Sequence, residues 1–279
     1  MSPSAQRQAN LTPRSDAVSL AYECSGDGIP VVFLHGLTFD RRAWRPIVDR
    51  LGGRVLSIAF DLPGHGQSTG SGLAFVRLAA LIRARLDELG VERPVVVGHS
   101  MSGGLAMAYA AQHPVRGAVN VDGPLDVRPF ASLIRRLEPA LRGDAFVETF
   151  RDVFQASMGL DRLAADIRAA VLAGQRIRQD LVLGYWAELL DSAPDVLQAR
   201  VDRALGAIDV PVLGVFGREL EPPDRERLAR IPDVAWEAWP DGHFVHLVEP
   251  DRFADRLLGF VEQCEMRARR PLIDAAPIG

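Results

Sequence analysis

The feature that most constrains the fold is a short run in which a buried strand turns directly into a helix. Residues 95–97 are three consecutive valines, which is typical of a strand that is buried on both faces. Residues 98–104 (GHSMSGG) follow, and helix-compatible residues continue to Gln112. Small residues stand two positions before Ser100 and two and three positions after it, although serine at 102 replaces the second glycine of a strict Gly-x-Ser-x-Gly pattern. Such a tight turn holds the serine hydroxyl above a sheet edge, where a base can reach it.

Composition excludes several other kinds of protein. The 279 residues suit one large α/β domain or two small ones, and 48% hydrophobic with 24% charged residues is typical of a globular enzyme. A formal net charge of −4 favours neither nucleic acid nor an anionic membrane as a partner. All 32 basic residues are arginine, so mechanisms that need a lysine Schiff base or a P-loop lysine are excluded.

The cysteines and the N-terminus predict a cytoplasmic protein. Cys24 and Cys264 are the only cysteines, which is too few for a disulfide framework, and we expect free thiols. Residues 1–14 are polar and lack the apolar centre of a signal peptide. The sequence contains no run of about 18 apolar residues, so we expect no membrane span. We expect no metal, since no metal-ligand spacing such as His-Glu-x-x-His occurs, no cofactor, and a monomer or a homodimer.

Most of the chain alternates between short apolar runs and longer helical patterns. Alternation of this kind predicts a mostly parallel central sheet flanked by helices on both faces. The predicted strands span 18–23, 30–34, 55–60, 94–97, 117–121, 211–216 and 235–239. The predicted helices outside the middle of the chain span 41–51, 71–89, 101–112, 223–230 and 250–267.

The middle of the chain breaks this alternation. From 127 to 206 only helical periodicity is present, so we predict an inserted helical cap domain. Its predicted helices span 129–142, 144–157, 161–174, 177–191 and 194–206. The predicted organisation is a core formed by 15–126 and 207–267, a cap at 127–206, and flexible tails at 1–14 and 268–279.

Polar residues stand where the predicted strands end. His35, Asp61, Ser100 and Asp122 each follow a predicted strand at its carboxyl end. In sheets of this kind, ligands bind beyond the carboxyl ends of the strands. The inserted helices also begin at such an end, so we expect them to form a lid over a site at this edge.

Four motifs in this order resemble the α/β-hydrolase superfamily, over roughly residues 17–266. They are His35-Gly36, the run 61–68 (DLPGHGQS), the elbow at 98–104, and the run 242–250 (GHFVHLVEP). Each motif alone is weak evidence. All four occur in the order and at the spacing that the family shows, which argues against a chance match. The resemblance implies an α/β-hydrolase fold, and the helical insertion corresponds to the family's cap.

The resemblance also implies a nucleophile–acid–histidine triad. Ser100 is the implied nucleophile and His243 the implied base, since the family's histidine follows a glycine in this loop. His246 is the alternative base, and we assign it a structural role instead. The implied oxyanion hole uses the backbone N–H groups of Leu37 and Met101.

The resemblance leaves the acid of the triad open. Most members of the family place it three residues after a glycine that follows the strand predicted here at 211–216, but the third residue after Gly217 is Leu220. Glu219 or Glu221 could serve if this loop is remodelled. Asp122 is the alternative, at a position that resembles the acid of certain lactone hydrolases and haloalkane dehalogenases. The chemistry requires only a carboxylate that reaches the histidine Nδ1–H, and we favour Asp122.

These residues predict a serine hydrolase that cleaves a hydrophobic ester or lactone through an acyl-enzyme intermediate. Phe154, Met158 and Trp186 of the predicted cap are candidate pocket residues. Carbon–carbon bond hydrolysis, perhydrolysis, amide hydrolysis and a low-turnover small-molecule receptor remain as alternatives on the same fold. Epoxide hydrolases and dehalogenases carry aspartate at the nucleophile position, where this chain has Ser100.

Overall fold

The computed structural model describes residues 18–269, and strands and helices alternate along most of this range. The strands are β1 (Tyr22–Ser25), β2 (Pro30–Leu34), β3 (Leu56–Phe60), β4 (Val95–His99), β5 (Gly117–Val121), β6 (Val212–Phe216) and β7 (Val234–Ala238). Within 18–269 they form a seven-stranded sheet in the order β1-β3-β2-β4-β5-β6-β7. Of these seven described strands, only β1 is antiparallel to its neighbour. The predicted α/β class with a mostly parallel sheet is therefore confirmed.

Helices cover both faces of this sheet. They are α1 (Arg45–Leu51), α2 (Phe75–Glu88), α3 (Met101–Ala110), α4 (Arg128–Arg142), α5 (Phe146–Thr149), α6 (Ala165–Gly174), α7 (Gln179–Asp191), α8 (Pro194–Gly206), α9 (Pro222–Leu228), α10 (Val245–Val248) and α11 (Pro250–Arg269). Successive strand residues point to opposite faces, so Val31 and Phe33 of β2 join one hydrophobic cluster, with α1 and α11. Val32 and Leu34 join the other, with α2, α3 and α7.

The helical segment 128–206 lies against the loops that follow β2 and β3. The Arg176 N–H donates to the Thr38 carbonyl at 2.7 Å, and the Tyr185 hydroxyl donates to the Pro63 carbonyl at 3.0 Å. Both acceptors lie at the carboxyl edge of the sheet, so the helices cover the edge at which the predicted site lies. The division of the chain into a core domain and a cap domain stays a prediction.

The first strand differs from its prediction. The sequence predicts a strand over 18–23, but β1 begins only at Tyr22. Upstream of it, two main-chain N–H groups bond to side chains instead of a neighbouring strand: the Ser19 N–H donates to Thr69 Oγ1 at 3.1 Å and the Ala21 N–H to Ser68 Oγ at 2.8 Å. These long-range contacts are invisible in a local alternation pattern.

The segment predicted as one α-helix over 144–157 is wound in three ways. Helix α5 leads into a π-helical stretch, Phe150–Gln155, and then into a 3-10 turn. Phe150 and Phe154 of this stretch both pack on Trp186, at centroid distances of 6.1 and 4.9 Å. Residues four apart would share a face in an ordinary α-helix as well, so these contacts do not explain the π winding.

The other predicted elements are present, with ends that differ by up to four residues. The predicted helix at 71–89 begins at Phe75, and the one at 161–174 opens with a separate 3-10 turn, Leu160–Arg162, before α6. Helix α11 reaches Arg269, so the first two residues of the predicted C-terminal tail are helical.

Three further sequence predictions concern the cysteines, the tails and membrane spans. Cys24 and Cys264 are free thiols, as expected. The predicted tail at 1–14 and most of the one at 268–279 lie outside the described residues. Among residues 18–269, no helix combines the length and the apolar character that crossing a membrane requires.

One main-chain contact joins the helical segment to the loop after β3 and can be tested by substitution. A Cβ atom at Gly72 would lie 2.3 Å from the Tyr185 nitrogen in α7. We expect Gly72→Ala to lower the free energy of unfolding by about 1–3 kcal/mol, because α7 must shift to admit the methyl group. Denaturant titration measures this change.

Gly259 in α11 provides the matched control, since nothing lies within 4 Å of a Cβ atom there. Gly259→Ala should raise the free energy of unfolding by about 0.5–1 kcal/mol, because alanine is the better helix former. If both substitutions changed the free energy of unfolding in the same direction, the close contact at Gly72 would not determine the effect of Gly72→Ala.

Candidate active site

Ser100 is the single residue between β4 and α3. Its backbone has φ 58° and ψ −124°, in the left-handed half of φ space that non-glycine residues seldom adopt. A Cβ atom at Gly98 would lie 1.8 Å from the Ser102 carbonyl oxygen, so only glycine fits there. Ser102 itself is buried, and its hydroxyl donates to the His35 carbonyl at 2.5 Å. Serine in place of the second glycine therefore ties the elbow to the loop after β2.

His243 lies in the loop after β7 and contacts two other predicted site residues. Its Nε2 is 2.8 Å from Ser100 Oγ, and its Nδ1 is 2.6 Å from Asp122 Oδ2. A carboxylate only accepts hydrogen bonds, so Nδ1 carries the proton and Nε2 is free to accept the serine proton. The preceding Gly242 has φ 89° and donates its N–H to the Gly217 carbonyl at 3.2 Å. This contact fixes the loop that presents the imidazole.

Asp122 follows β5, and both of its carboxylate oxygens are engaged. While Oδ2 faces His243, Oδ1 accepts the Gly217 N–H at 2.9 Å. The Asp122 N–H donates to the Val215 carbonyl of β6 at 2.9 Å, so the main chain is held as well. Sequence reasoning missed this role of Gly217, for which a glycine directly after a predicted strand was the available signal.

The two alternative acids point elsewhere. Glu219 and Glu221 are exposed, and within residues 18–269 neither carboxylate has a hydrogen bond or an ion pair. Leu220 between them is buried, which turns both flanking acids toward solvent. The structure therefore brings Asp122, and neither glutamate, to His243.

The predicted oxyanion-hole amides stand beside Ser100. Met101 opens helix α3, where the first N–H groups have no partner within the helix. Leu37 lies in the loop after β2, and Gly36 before it faces Ser100, since a Cβ atom at Gly36 would be 3.4 Å from Ser100 Cβ. Within the described part of the chain, neither the Leu37 nor the Met101 N–H donates to a protein acceptor. Both amides are thus free to bind an oxyanion, and this role stays a prediction.

His99 supports the loop that carries His243. Its Nε2–H donates to the His243 carbonyl at 2.9 Å, and its ring lies 4.6 Å from that of His246. The pKa of His99 lies well below its usual value, mainly because the ring is buried and to a smaller extent because His246 and His243 are near. The ring is therefore neutral. His246 is enclosed by aromatic rings, with Trp44 at 4.7 Å, and does not contact Ser100. The structure thus pairs His243, not His246, with the serine.

Two more histidines organise the main chain of neighbouring loops. His35 Nε2 accepts the Leu62 N–H at 3.0 Å, and its Nδ1 lies 2.8 Å from the Gly36 carbonyl. His65 Nε2 accepts the Thr38 N–H at 3.1 Å. Burial lowers the pKa of His65 to about 2, so this ring stays a neutral acceptor. The two rings therefore hold the turn that carries Leu37.

The candidate pocket residues lie in the helical segment. Phe154 and Trp186 are buried and pack on each other, and Phe130 lies edge-on to both, at 5.9 and 5.5 Å. Met158 is half-buried and contacts the hydrophobic clusters of both sheet faces, which places it across the sheet edge. Their role in substrate binding stays a prediction. Among the described residues, no three His, Cys, Asp or Glu side chains are grouped to hold a metal ion.

The buried imidazole of His246 generates a prediction about acid stability. Burial, and to a smaller extent His243, lowers the pKa of His246 to about 3. The unfolded chain takes up this proton near pH 6.5, before the folded protein does, so stability falls as the pH drops from about 6.5 to about 3. His246→Phe should weaken this dependence, which unfolding titrations at a series of pH values measure.

Phenylalanine suits this position because its neighbours are aromatic and His246 Nδ1 has no hydrogen-bond partner among the described residues. Above pH 7 the variant and the parent protein should depend on pH alike, since the imidazole is neutral in both states there. An unchanged slope between about pH 3 and 6.5 would show that His246 does not titrate on unfolding.

Comparison with known proteins is consistent with this geometry. A 238-residue stretch is 28% identical to 2-succinyl-6-hydroxy-2,4-cyclohexadiene-1-carboxylate synthase of Serratia proteamaculans, covering 83% of this chain and 92% of that protein. A 104-residue stretch is 38% identical to the dihydrolipoyllysine-residue acetyltransferase component of the acetoin cleaving system of Cupriavidus necator; it covers 36% of this chain and only 28% of that protein. The fold is similar to that of a thermophilic esterase from Thermogutta terrifontis, with a TM-score of 0.69, 21% identity, and coverage of 94% of this chain and 99% of the esterase.

The sequence pattern of the alpha/beta hydrolase family extends over most of the chain. It matches residues 31–256, a range that includes the elbow at 98–104, Asp122 and the loop that carries His243. The parallel sheet and the hydrogen-bonded side chains at its carboxyl edge agree with that match. The chain belongs to the alpha/beta hydrolase family.

Proposed function

We propose that this protein is a serine hydrolase that cleaves a carboxylic ester or a lactone of a hydrophobic small molecule through an acyl-enzyme intermediate. The observation that carries the proposal is the continuous chain of hydrogen bonds from Ser100 through His243 to Asp122, at 2.8 and 2.6 Å. A serine hydroxyl bonded to an imidazole whose other nitrogen faces a carboxylate is the arrangement that activates serine as a nucleophile.

In the first half of the reaction, Ser100 Oγ attacks the carbonyl carbon and His243 Nε2 takes the hydroxyl proton. Asp122 holds the Nδ1–H and stabilises the imidazolium that forms. The carbonyl oxygen becomes an oxyanion, which the free N–H groups of Leu37 and Met101 stabilise. One such donor contributes about 3 kcal/mol in related chemistry.

The first half ends when this tetrahedral intermediate collapses: the bond from the carbonyl carbon to the leaving oxygen breaks, and that oxygen takes the proton from His243 and leaves as the alcohol. Water then attacks the acyl group on Ser100, while His243 accepts a proton from the water. When this second intermediate collapses, the bond from the acyl carbon to Ser100 Oγ breaks, His243 returns its proton to that oxygen, and the carboxylic acid is released. A lactone would give one product, a hydroxy acid, because its alkoxide and acyl group belong to the same molecule.

The aromatic helical segment supports an apolar substrate. Phe154 and Trp186 belong to a group of packed rings, and Met158 lies between the two hydrophobic clusters. Contact with such side chains favours substrates that bury apolar surface. We therefore propose that the acyl or alkoxy group enters between the sheet edge and the helical segment.

Substitution of the proposed nucleophile tests this function directly. Ser100→Ala should abolish labelling by a fluorophosphonate and lower kcat toward aryl esters by about 10⁶-fold, because no other side chain replaces the nucleophile. The test uses a panel of aryl esters and macrocyclic lactones together with labelling detected by mass spectrometry.

Ser192→Ala serves as the control, since Ser192 lies after α7 and its hydroxyl is not part of the triad. The control should keep labelling and turnover. Labelling of the parent protein without turnover of any ester or lactone would favour another bond type or a receptor. No labelling of the parent protein would contradict an activated Ser100.

The acid of the triad is tested by matched amide substitutions. We expect Asp122→Asn to lower kcat by about 10⁴-fold, because an amide no longer fixes the imidazole with its proton on Nδ1. Glu219→Gln and Glu221→Gln should leave kcat unchanged, since both carboxylates are exposed and unpaired within residues 18–269. Steady-state kinetics with one aryl ester compares the three variants, and a loss confined to Glu219→Gln would transfer the role to that residue.

A further inference from the structure

Asn120 is a buried polar residue in the middle of an apolar strand. It lies in β5 between Val119 and Val121, and only 1% of its surface is exposed. Its register neighbours are glycines on both sides, Gly98 of β4 and Gly214 of β6. A carboxamide at such a position costs free energy unless its polar atoms are hydrogen-bonded. The hydrogen bonds that it makes therefore indicate what it does.

Both polar atoms of this side chain are directed at the residue after Asp122. Asn120 Oδ1 accepts the Gly123 N–H at 2.8 Å, and Nδ2 lies 3.4 Å from the Gly123 carbonyl. Asp122 has φ 49°, a left-handed conformation that is unfavourable for a residue with a side chain. An asparagine side chain that bonds to its own main chain a few residues on is an established way to close such a turn.

The same carboxamide lies against the helix that follows Ser100. A Cβ atom at Gly103 would be 2.1 Å from Asn120 Oδ1, and one at Gly123 would be 2.7 Å from the Ser100 carbonyl oxygen. Gly123 therefore packs on the Ser100 carbonyl, and the Asn120 side chain packs beside this contact, against both Gly103 and Gly123. This contact links the backbone of the acid to the backbone of the nucleophile.

We propose that Asn120 is a positioning residue for the triad: its carboxamide holds the Asp122–Gly123 turn in the conformation that directs the Asp122 carboxylate at His243 Nδ1. Gly217, whose N–H binds Asp122 Oδ1, fixes the side chain, whereas Asn120 fixes the main chain. An apolar residue at 120 would leave the buried Gly123 N–H without an acceptor. The inference rests on the proposed function in one respect, namely that the triad is catalytic.

Two substitutions grade the effect. Asn120→Ala removes both hydrogen bonds to Gly123, and we expect kcat for an aryl ester to fall about 10- to 100-fold, as is typical when a reacting group is misplaced. Asn120→Ser keeps a hydroxyl that can accept the same N–H more weakly, so its kcat should lie between those of the alanine variant and the parent protein. KM should change little, since Leu37, Met101 and the aromatic helical segment are untouched.

A spectroscopic measurement reports the geometry without relying on turnover. We expect the proton held between His243 Nδ1 and Asp122 Oδ2, which are 2.6 Å apart, to resonate far downfield in the ¹H NMR spectrum of the parent protein. We expect this resonance to shift or broaden in Asn120→Ala and to be partly restored in Asn120→Ser. If Asn120 had only a structural role, Asn120→Ala would lower the melting temperature. At temperatures where the variant is folded, this resonance and kcat would then be the same as in the parent protein.

Gln198 of α8 offers a matched control, because it is another buried carboxamide that holds main chain. It accepts the Val127 N–H at 2.9 Å and donates to the Leu125 carbonyl at 3.1 Å. Gln198→Ala should lower the melting temperature and leave kcat and the downfield resonance as they are in the parent protein.

Two results would overturn the inference. One is an Asn120→Ala protein with the kcat and the downfield resonance of the parent protein, and the other is an equal loss of kcat in Asn120→Ala and Gln198→Ala. If Asn120→Ala does not fold, Asn120→Ser decides by the same two measurements. Failure of the proposed function is seen separately, as turnover that survives Ser100→Ala, and the resonance then still tests whether Asn120 directs Asp122.

Discussion

A left-handed backbone at Ser100 allows helix α3 to follow strand β4 with only this one residue between them. This geometry requires main chain to meet main chain, since a side chain at Gly98 would overlap the Ser102 carbonyl. Helix α3 then lies so close to β4 and β5 that Gly123 packs on the Ser100 carbonyl. The position of the serine hydroxyl and the position of the Asp122 turn are therefore consequences of one tight contact, and neither can move without the other.

The remaining parts of the site meet because the carboxyl ends of parallel strands lie at one edge of the sheet. His243 and Ser100 are 143 residues apart in sequence, yet one hydrogen bond joins their side chains. Main-chain contacts hold the loops that carry them: Gly242 bonds to Gly217, and His99 bonds to the His243 carbonyl. These supports come from loops and from a neutral buried imidazole, so the side chains of the proposed triad are oriented before any substrate arrives.

Local sequence predicted the elements well where burial dictates them, and poorly where distant side chains do. The runs that became β2, β5 and β6 are apolar except for Asn120, because both faces of the sheet are covered, and their ends were predicted to within one residue. The strand predicted at 18–23 begins only at Tyr22, because Thr69 and Ser68 bind the N–H groups of Ser19 and Ala21. The predicted helix at 144–157 is partly π-helical, a winding that the spacing of its apolar residues does not distinguish from an α-helix.

By itself, the sequence determined the α/β class, the elbow at Ser100 and the histidine loop, because these depend on local apolar runs, on glycine spacing and on motif order. Only the tertiary structure decided which carboxylate meets His243. Asp122, Glu219 and Glu221 all follow strands that end at the same edge, and sequence distance does not separate them. Strand register, the buried Leu220 and the turn closed by Asn120 do, because together they bring Asp122 to 2.6 Å from the imidazole and leave both glutamates in solvent.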